Sequence, residues 1–70
     1  MAIEVNPKIM LGKPVVHGTR VTVELILRKL SEGMTPEKIV EAHPSVTVQN
    51  VYEAVSYAAD VLAHEELRVA

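Results

Sequence analysis

Three histidines, His17, His43 and His64, are the residues of this chain best suited to hold a metal or move a proton. They fall on a turn, at a helix end and on a helix face, with no ligand spacing among them, and there is no cysteine to complete a set. Neither a metal centre nor a cofactor is expected. Gly12-Lys13 has the look of a phosphate loop, but that motif needs an earlier Gly and a Ser or Thr after the Lys. Pro7 and Pro14 stand in those places. No Ser, His and acid follow the order of a nucleophilic relay, so the sequence is not read as an enzyme. The remaining candidates lie at the head of a helix, where they are either a solvated polar face that caps it or a surface that meets nucleic acid. Gln49 and Asn50 carry side-chain amides that can bond an adenine edge bidentately, and the hydroxyl of Thr47 could reach a phosphate. Lys13, Arg20 and Arg28 are the cations available to hold phosphates.

The elements that position these residues follow from length and pattern. Seventy residues make one domain, 1–70, with no room for a second. Such a domain hides only about 60% of the surface its unfolded chain exposes. There is no disulfide, Trp or Phe to help. A short apolar-rich chain without a staple is expected to find a partner, here a second copy of itself.

Residues 1–22 read as a β-hairpin or arm. Ile3 and Val5 alternate with Glu4 before Asn6-Pro7 breaks the run. Val15-Val16 and Val21-Thr22-Val23 flank His17-Gly18-Thr19-Arg20, with Gly18 free to take the positive φ of a turn. The expectation is a short hairpin of these two runs, or extended arms that pair with another chain.

Residues 23–66 read as three helices. Thr22, Thr35 and Thr47 each precede a 3.6-period segment and can cap it. Each follows an apolar residue able to staple onto one five positions on: Val21 with Ile26, Met34 with Ile39, Val46 with Val51. The first helix is expected from Val23 to Glu32, with Val23, Ile26, Leu27 and Leu30 inward and Gly33 ending it. The second starts at Pro36, buries Ile39 and Val40, and stops near Ala42 because Pro44 forbids more. The third runs from Val48 towards Glu66, with Val48, Val51, Tyr52, Val55, Ala58, Ala59 and Leu62 as its inner stripe. Residues 67–70 are expected to fray. Leu25 on the first helix and Ala54, Tyr57 and Val61 on the third then form a second apolar patch. With Val15 and Val16 of the arm they are the expected homodimer interface.

The second and third helices, joined through His43-Pro44-Ser45-Val46, have helix-turn-helix spacing, and the first supplies the third wall. Charge pulls the other way. The net charge of −2 excludes a sequence-blind nucleic-acid coat. Lys8, Lys13, Arg20, Arg28 and Lys29 precede Ser31, whereas the third helix presents Glu53 and Asp60 and no cation before Arg68. Any DNA contact must draw its cations from the arm, unless Arg20 is spent on an ion pair with Glu24. No run approaches the ~20 apolar residues of a membrane span. The start lacks the pattern of a signal peptide, and a cytoplasmic location is expected.

Asn6-Pro7, Gly12-Lys13-Pro14-Val15-Val16-His17-Gly18-Thr19-Arg20-Val21, Gly33-Met34-Thr35-Pro36-Glu37-Lys38-Ile39 and His43-Pro44-Ser45-Val46-Thr47, followed by Val51, Ala54 and Tyr57-Ala58, together resemble the domain of unknown function 433 family. The resemblance spans about Ile3 to Leu62. It implies a mainly α fold, a three-helix homeodomain-like helix-turn-helix core with a short N-terminal β-hairpin or arm. Some members are antitoxins of VapB type, encoded beside a PIN-like ribonuclease toxin. That implies a homodimer that binds the toxin and the operator DNA of their shared genes. Arg20 or Arg68 is then a candidate to enter the acidic metal site of the toxin, on charge complementarity. Two positions depart from the family pattern. His17 stands where a basic residue is common, which lowers the expected DNA affinity. Leu11 stands where a small residue is common, which bears on how the arm folds or pairs. The competing expectation is a protein-protein interaction module without DNA binding, favoured by the acidic third helix.

Overall fold

A computed structural model describes residues 2–64. It contains a two-residue strand β1 (Ile3–Glu4), a left-handed turn over 10–12, a second strand β2 (Val15–Val16), and three helices, α1 (Val23–Ser31), α2 (Pro36–Ala42) and α3 (Val48–Ala63). The fold is mainly α, with one short antiparallel hairpin at its front.

The three threonine caps form as their positions require. Thr22, Thr35 and Thr47 are extended, and their hydroxyls accept the N–H groups of Leu25, Lys38 and Asn50. The apolar residue before each cap and the one five positions on all lie in or against the core. Helix α1 ends in a Schellman turn. Gly33, at φ +93°, donates to the Leu30 carbonyl and Met34 donates back to Lys29.

The hairpin differs from expectation in its partner strand. Val15-Val16 pair in antiparallel register with Ile3-Glu4 of the same chain, Ile3 opposite Val16 and Glu4 opposite Val15. The expected run at 21–23 supplies only a single bridge, Val15 to Thr22, because Val23 is already the first residue of α1. Between them the turn closes through the Val16 N–H on the Val21 carbonyl, with Gly18 at φ +78°. The arm thus folds back on its own domain.

The core is one cluster: Ile3 and Val16 from the strands, Val23 and Ile26 from α1, Ile39 from α2, Val46, and Val51 and Ala54 from α3. The phase of α3 departs from the sequence reading. Val51 and Ala54 point inward, while Tyr52, Val55 and Leu62 of the expected inner stripe are exposed at 55%, 40% and 64%. A polar stripe of Gln49, Glu53, Ser56 and Asp60 leaves a wide apolar sector on this helix, so periodicity alone does not fix which part of that sector faces inward. The hairpin and α1 settle it by closing on the Val51–Ala54 face. Residues 65–70, and with them the expected last turn of the third helix and the frayed tail, lie outside the described residues.

The same closure buries half of the expected dimer seam. Val15, Val16 and Ala54 are fully or almost fully buried within the single chain, so they offer nothing to a second copy. Tyr57 is half-buried against the core, and Leu25 is half-buried as well. Of the six seam residues only Val61, at 45% exposure, is open.

Candidate nucleic-acid interface

Helices α2 and α3, linked by the four-residue turn 43–46 ahead of the Thr47 cap, pack on each other and on α1. The head of α3 therefore projects from a three-helix base. The three residues placed there by the sequence have different fates. Thr47 Oγ1 accepts the Asn50 N–H at 3.0 Å, and Asn50 Oδ1 accepts the Thr47 N–H at 3.0 Å. The amide nitrogen of Asn50 donates to Glu53 Oε1 at 3.1 Å. Both ends of the Asn50 side chain are thus engaged inside the helix, and reading a base would require giving up the cap. Gln49 is exposed and makes no side-chain hydrogen bond among the described residues. It is the member of the trio able to meet a groove without rearrangement.

The three expected phosphate-holding cations also separate into two kinds. Lys13 Nζ lies 3.1 Å from Glu24 Oε1, and Arg28 Nη2 lies 3.6 Å from Glu24 Oε2. One carboxylate, set on the first turn of α1 by the Thr22 cap, therefore serves two cations. The Lys13 ammonium, by hydrogen bond and then by its charge, holds the Glu24 carboxyl below the usual carboxylate range. Partial desolvation opposes this, and Arg28 adds a smaller pull. The cluster keeps one net positive charge. Arg20, in the turn after Gly18, does not pair with Glu24; it is exposed and has no carboxylate partner among the described residues. Arg68, the other candidate for toxin contact, lies outside the described residues.

Of the histidines, His17 Nδ1 lies 3.2 Å from Glu4 Oε1 across the hairpin, and His64 Nδ1 lies 2.6 Å from the Asp60 carbonyl oxygen. No three metal-binding side chains converge among the described residues. No helix of the described residues is long and apolar enough to cross a membrane.

Two features escaped the sequence reading. Leu11 is 94% exposed, in a loop where Met10, Leu11 and Gly12 all take positive φ. A groove of about 430 Å³ opens between α1 and the second half of α3, bordered by Pro14, Leu27, Val61 and Leu62. The signal for the first was the departure at Leu11 from the small residue common at that place in the family.

The sequence matches a known family. The model of the family described as "Protein of unknown function (DUF433)" matches residues 3–58, from β1 into α3. The chain belongs to that family. Among curated proteins it is similar to the uncharacterized protein y4eO of Sinorhizobium fredii (strain NBRC 101917 / NGR234), 38% identical over 53 residues. The match covers 76% of this chain and 24% of that protein, so the chain spans about a quarter of its relative. No solved structure gives a significant match.

Proposed function

We propose that this protein is a non-catalytic helix-turn-helix regulator of antitoxin type. It acts as a cytoplasmic homodimer that neutralises a PIN-like ribonuclease toxin and binds the operator DNA of their shared genes. The observation that carries this reading is that two exposed groups, the Gln49 amide at the head of α3 and the Arg20 guanidinium in the arm, have no side-chain partner among the described residues. Gln49 supplies base contact, Arg20 supplies phosphate contact or enters the acidic site of the toxin, and Lys13 and Arg28 add the single net charge they retain beside Glu24. The toxin half follows from family resemblance and charge.

The test is a gel shift on the DNA upstream of the gene, at low and rising salt. Retardation is expected. Arg20→Ala should lower the slope of log affinity against log salt by about 2 for a dimer, at about 0.9 per phosphate. Gln49→Ala should relax base preference by about 1–3 kcal/mol at one position. No retardation at low salt overturns the DNA half. Co-purification of a ribonuclease with the tagged protein from the native cell, weakened by Arg20→Ala, tests the toxin half.

A second reading has its own observation. With Asn50 tied at both ends and Glu24 neutralising one of two cations, the surface is better furnished for protein than for phosphate. A protein-interaction module without DNA binding would give no shift at any salt and would still capture a partner.

A further inference from the structure

We infer that the free edge of β1 takes up an extended basic segment of another protein as an added strand, seated in the cleft between β1 and α3. The inference goes beyond the proposed function and stands whether or not DNA is bound. It begins from the register of the hairpin. Ile3 stands opposite Val16. The Val16 N–H donates to the Val21 carbonyl and the Val16 carbonyl accepts the Thr19 N–H, both at 2.9 Å, so neither group is left for Ile3. One position along, the His17 N–H donates to the Ala2 carbonyl, as the alternation of an antiparallel ladder requires. Ile3 and Val16 are therefore a non-hydrogen-bonded pair, and Ile3 turns its N–H and C=O away from β2. Among the described residues nothing bonds either group. Ile3 is only 8% exposed, so little water reaches them in place of a partner. A strand edge with unpaired backbone groups is a template for another strand.

The cleft beside that edge shows what the added strand must carry. It holds about 260 Å³ between Ala2 and Ile3 on one side and Glu53, Ser56, Tyr57 and Asp60 of α3 on the other. Steps of three, four and seven place those four on one helix face. Glu53 accepts only the neutral amide of Asn50, and the Asp60 carboxylate has no partner among the described residues, so this wall keeps two negative charges. No Lys or Arg of the described residues borders the cleft. The two acidic residues lie about 10 Å apart along the helix, at about 1.5 Å per residue. On an added strand every second side chain, about 7 Å apart, stands on the Ile3 side of the sheet, towards α3. Two lysines or arginines two positions apart span the carboxylates, their aliphatic stems crossing Tyr57. A second copy of β1 is the wrong occupant. Residues 2–5 carry Glu4 and no cation, and a twin would set a second acidic wall against the first.

The probe is a blocked peptide of alternating lysine and valine, added to the full chain and followed by proton–nitrogen NMR. The Ile3 amide should move downfield and exchange more slowly with solvent, and the other shifts should centre on residues 2–4 and 53–60. A peptide with glutamate in place of lysine should not bind. Glu53→Gln combined with Asp60→Asn should weaken the lysine peptide by about 2- to 30-fold, the worth of two exposed ion pairs. A circular dichroism melt checks that this variant is folded. N-methylation of alternate peptide nitrogens should weaken binding in one phase and not in the other, because only one edge of the added strand faces β1. Equal effects in both phases reduce the contact to loose charge attraction and overturn strand addition. A lysine peptide that binds no tighter than the glutamate one, or shifts centred on Glu24, overturn the site. An Ile3 amide that slows with protein concentration alone gives the edge to a second copy and overturns the basic occupant. The gel shift reads Gln49 and Arg20, so failure here leaves the DNA reading standing, and failure there leaves this site standing.

Discussion

Thr47 and Asn50 close each other's backbone donors at the head of α3, hydroxyl to N–H in one direction and amide oxygen to N–H in the other, both at 3.0 Å. The pair is a capping box with Asn in the place usually taken by Glu or Gln. It fixes the start of α3, and it removes Asn50 from the set of free hydrogen-bonding groups. Thr47→Ala should cost about 1 kcal/mol of stability. Thr47→Ala combined with Asn50→Ala should cost less than the two single losses added, because the bonds share one geometry. Urea melts of the four proteins at one concentration measure this; strict additivity would show the two bonds to be independent.

The rotation of α3 is checked by two valines four residues apart. Val51 is fully buried and Val55 is 40% exposed. Val51→Ala should destabilise by about 2 kcal/mol through lost burial and an unfilled hole. Val55→Ala should stay within about 0.5 kcal/mol of wild type. Thermal melts by circular dichroism distinguish them, and equal losses would return the helix to the orientation read from the sequence.

Gly33 ends α1 at φ +93° with open space where a β-carbon would stand. Gly33→Ala therefore meets no clash and is penalised by backbone conformation alone, about 1–2 kcal/mol. A denaturant melt measures the cost; an unchanged midpoint would mean the Schellman turn does not persist in solution.

Glu24 gives the pH prediction. Its carboxyl is held down first by the Lys13 hydrogen bond and charge, with a lesser contribution from Arg28. A folded pKa below the unfolded one contributes stability above the unfolded pKa and loses it as pH falls through the folded pKa. The gain is present at neutral pH, fades on acidification, and is small because the pair is exposed to solvent. Proton titration followed by NMR should place the Glu24 carboxyl below the ordinary value of a glutamate. Lys13→Gln should raise it further than Arg28→Gln does; the reverse order would reassign the partner.

The elements that were legible in the sequence are those fixed by their own neighbours. Thr22, Thr35, Thr47, Gly33 and Pro36 act within one turn of chain, so their types and spacing place the starts of all three helices and the end of the first. What was not legible depends on distant residues. The pairing of Ile3 with Val16 joins two-residue strands across a loop, too short to leave a periodic trace. The rotation of α3 within its wide apolar sector is chosen by the hairpin and α1. At the candidate site, Gln49 and Arg20 were open to direct reading as polar surface residues. The capture of Lys13 by Glu24, eleven residues away, needed the fold; that of Asn50 by Thr47 and Glu53 is local, and was hidden because Asn stands where a capping box usually has Glu or Gln. Leu11 at positive φ contradicts its own residue preference, so no propensity rule points to it.

The two tyrosines sit in opposite surroundings: Tyr57 is packed against the core, while Tyr52 is 55% exposed one and a half turns earlier on the same helix. With neither Trp nor Phe in the chain, all of its ultraviolet emission comes from these two phenols. Tyr52→Phe leaves a single fluorophore that brightens or dims as the bundle assembles. Tyr57→Phe leaves one that collides freely with dissolved iodide until something settles over the outer face of α3. The molecule thus carries two optical gauges, one for its own collapse and one for company.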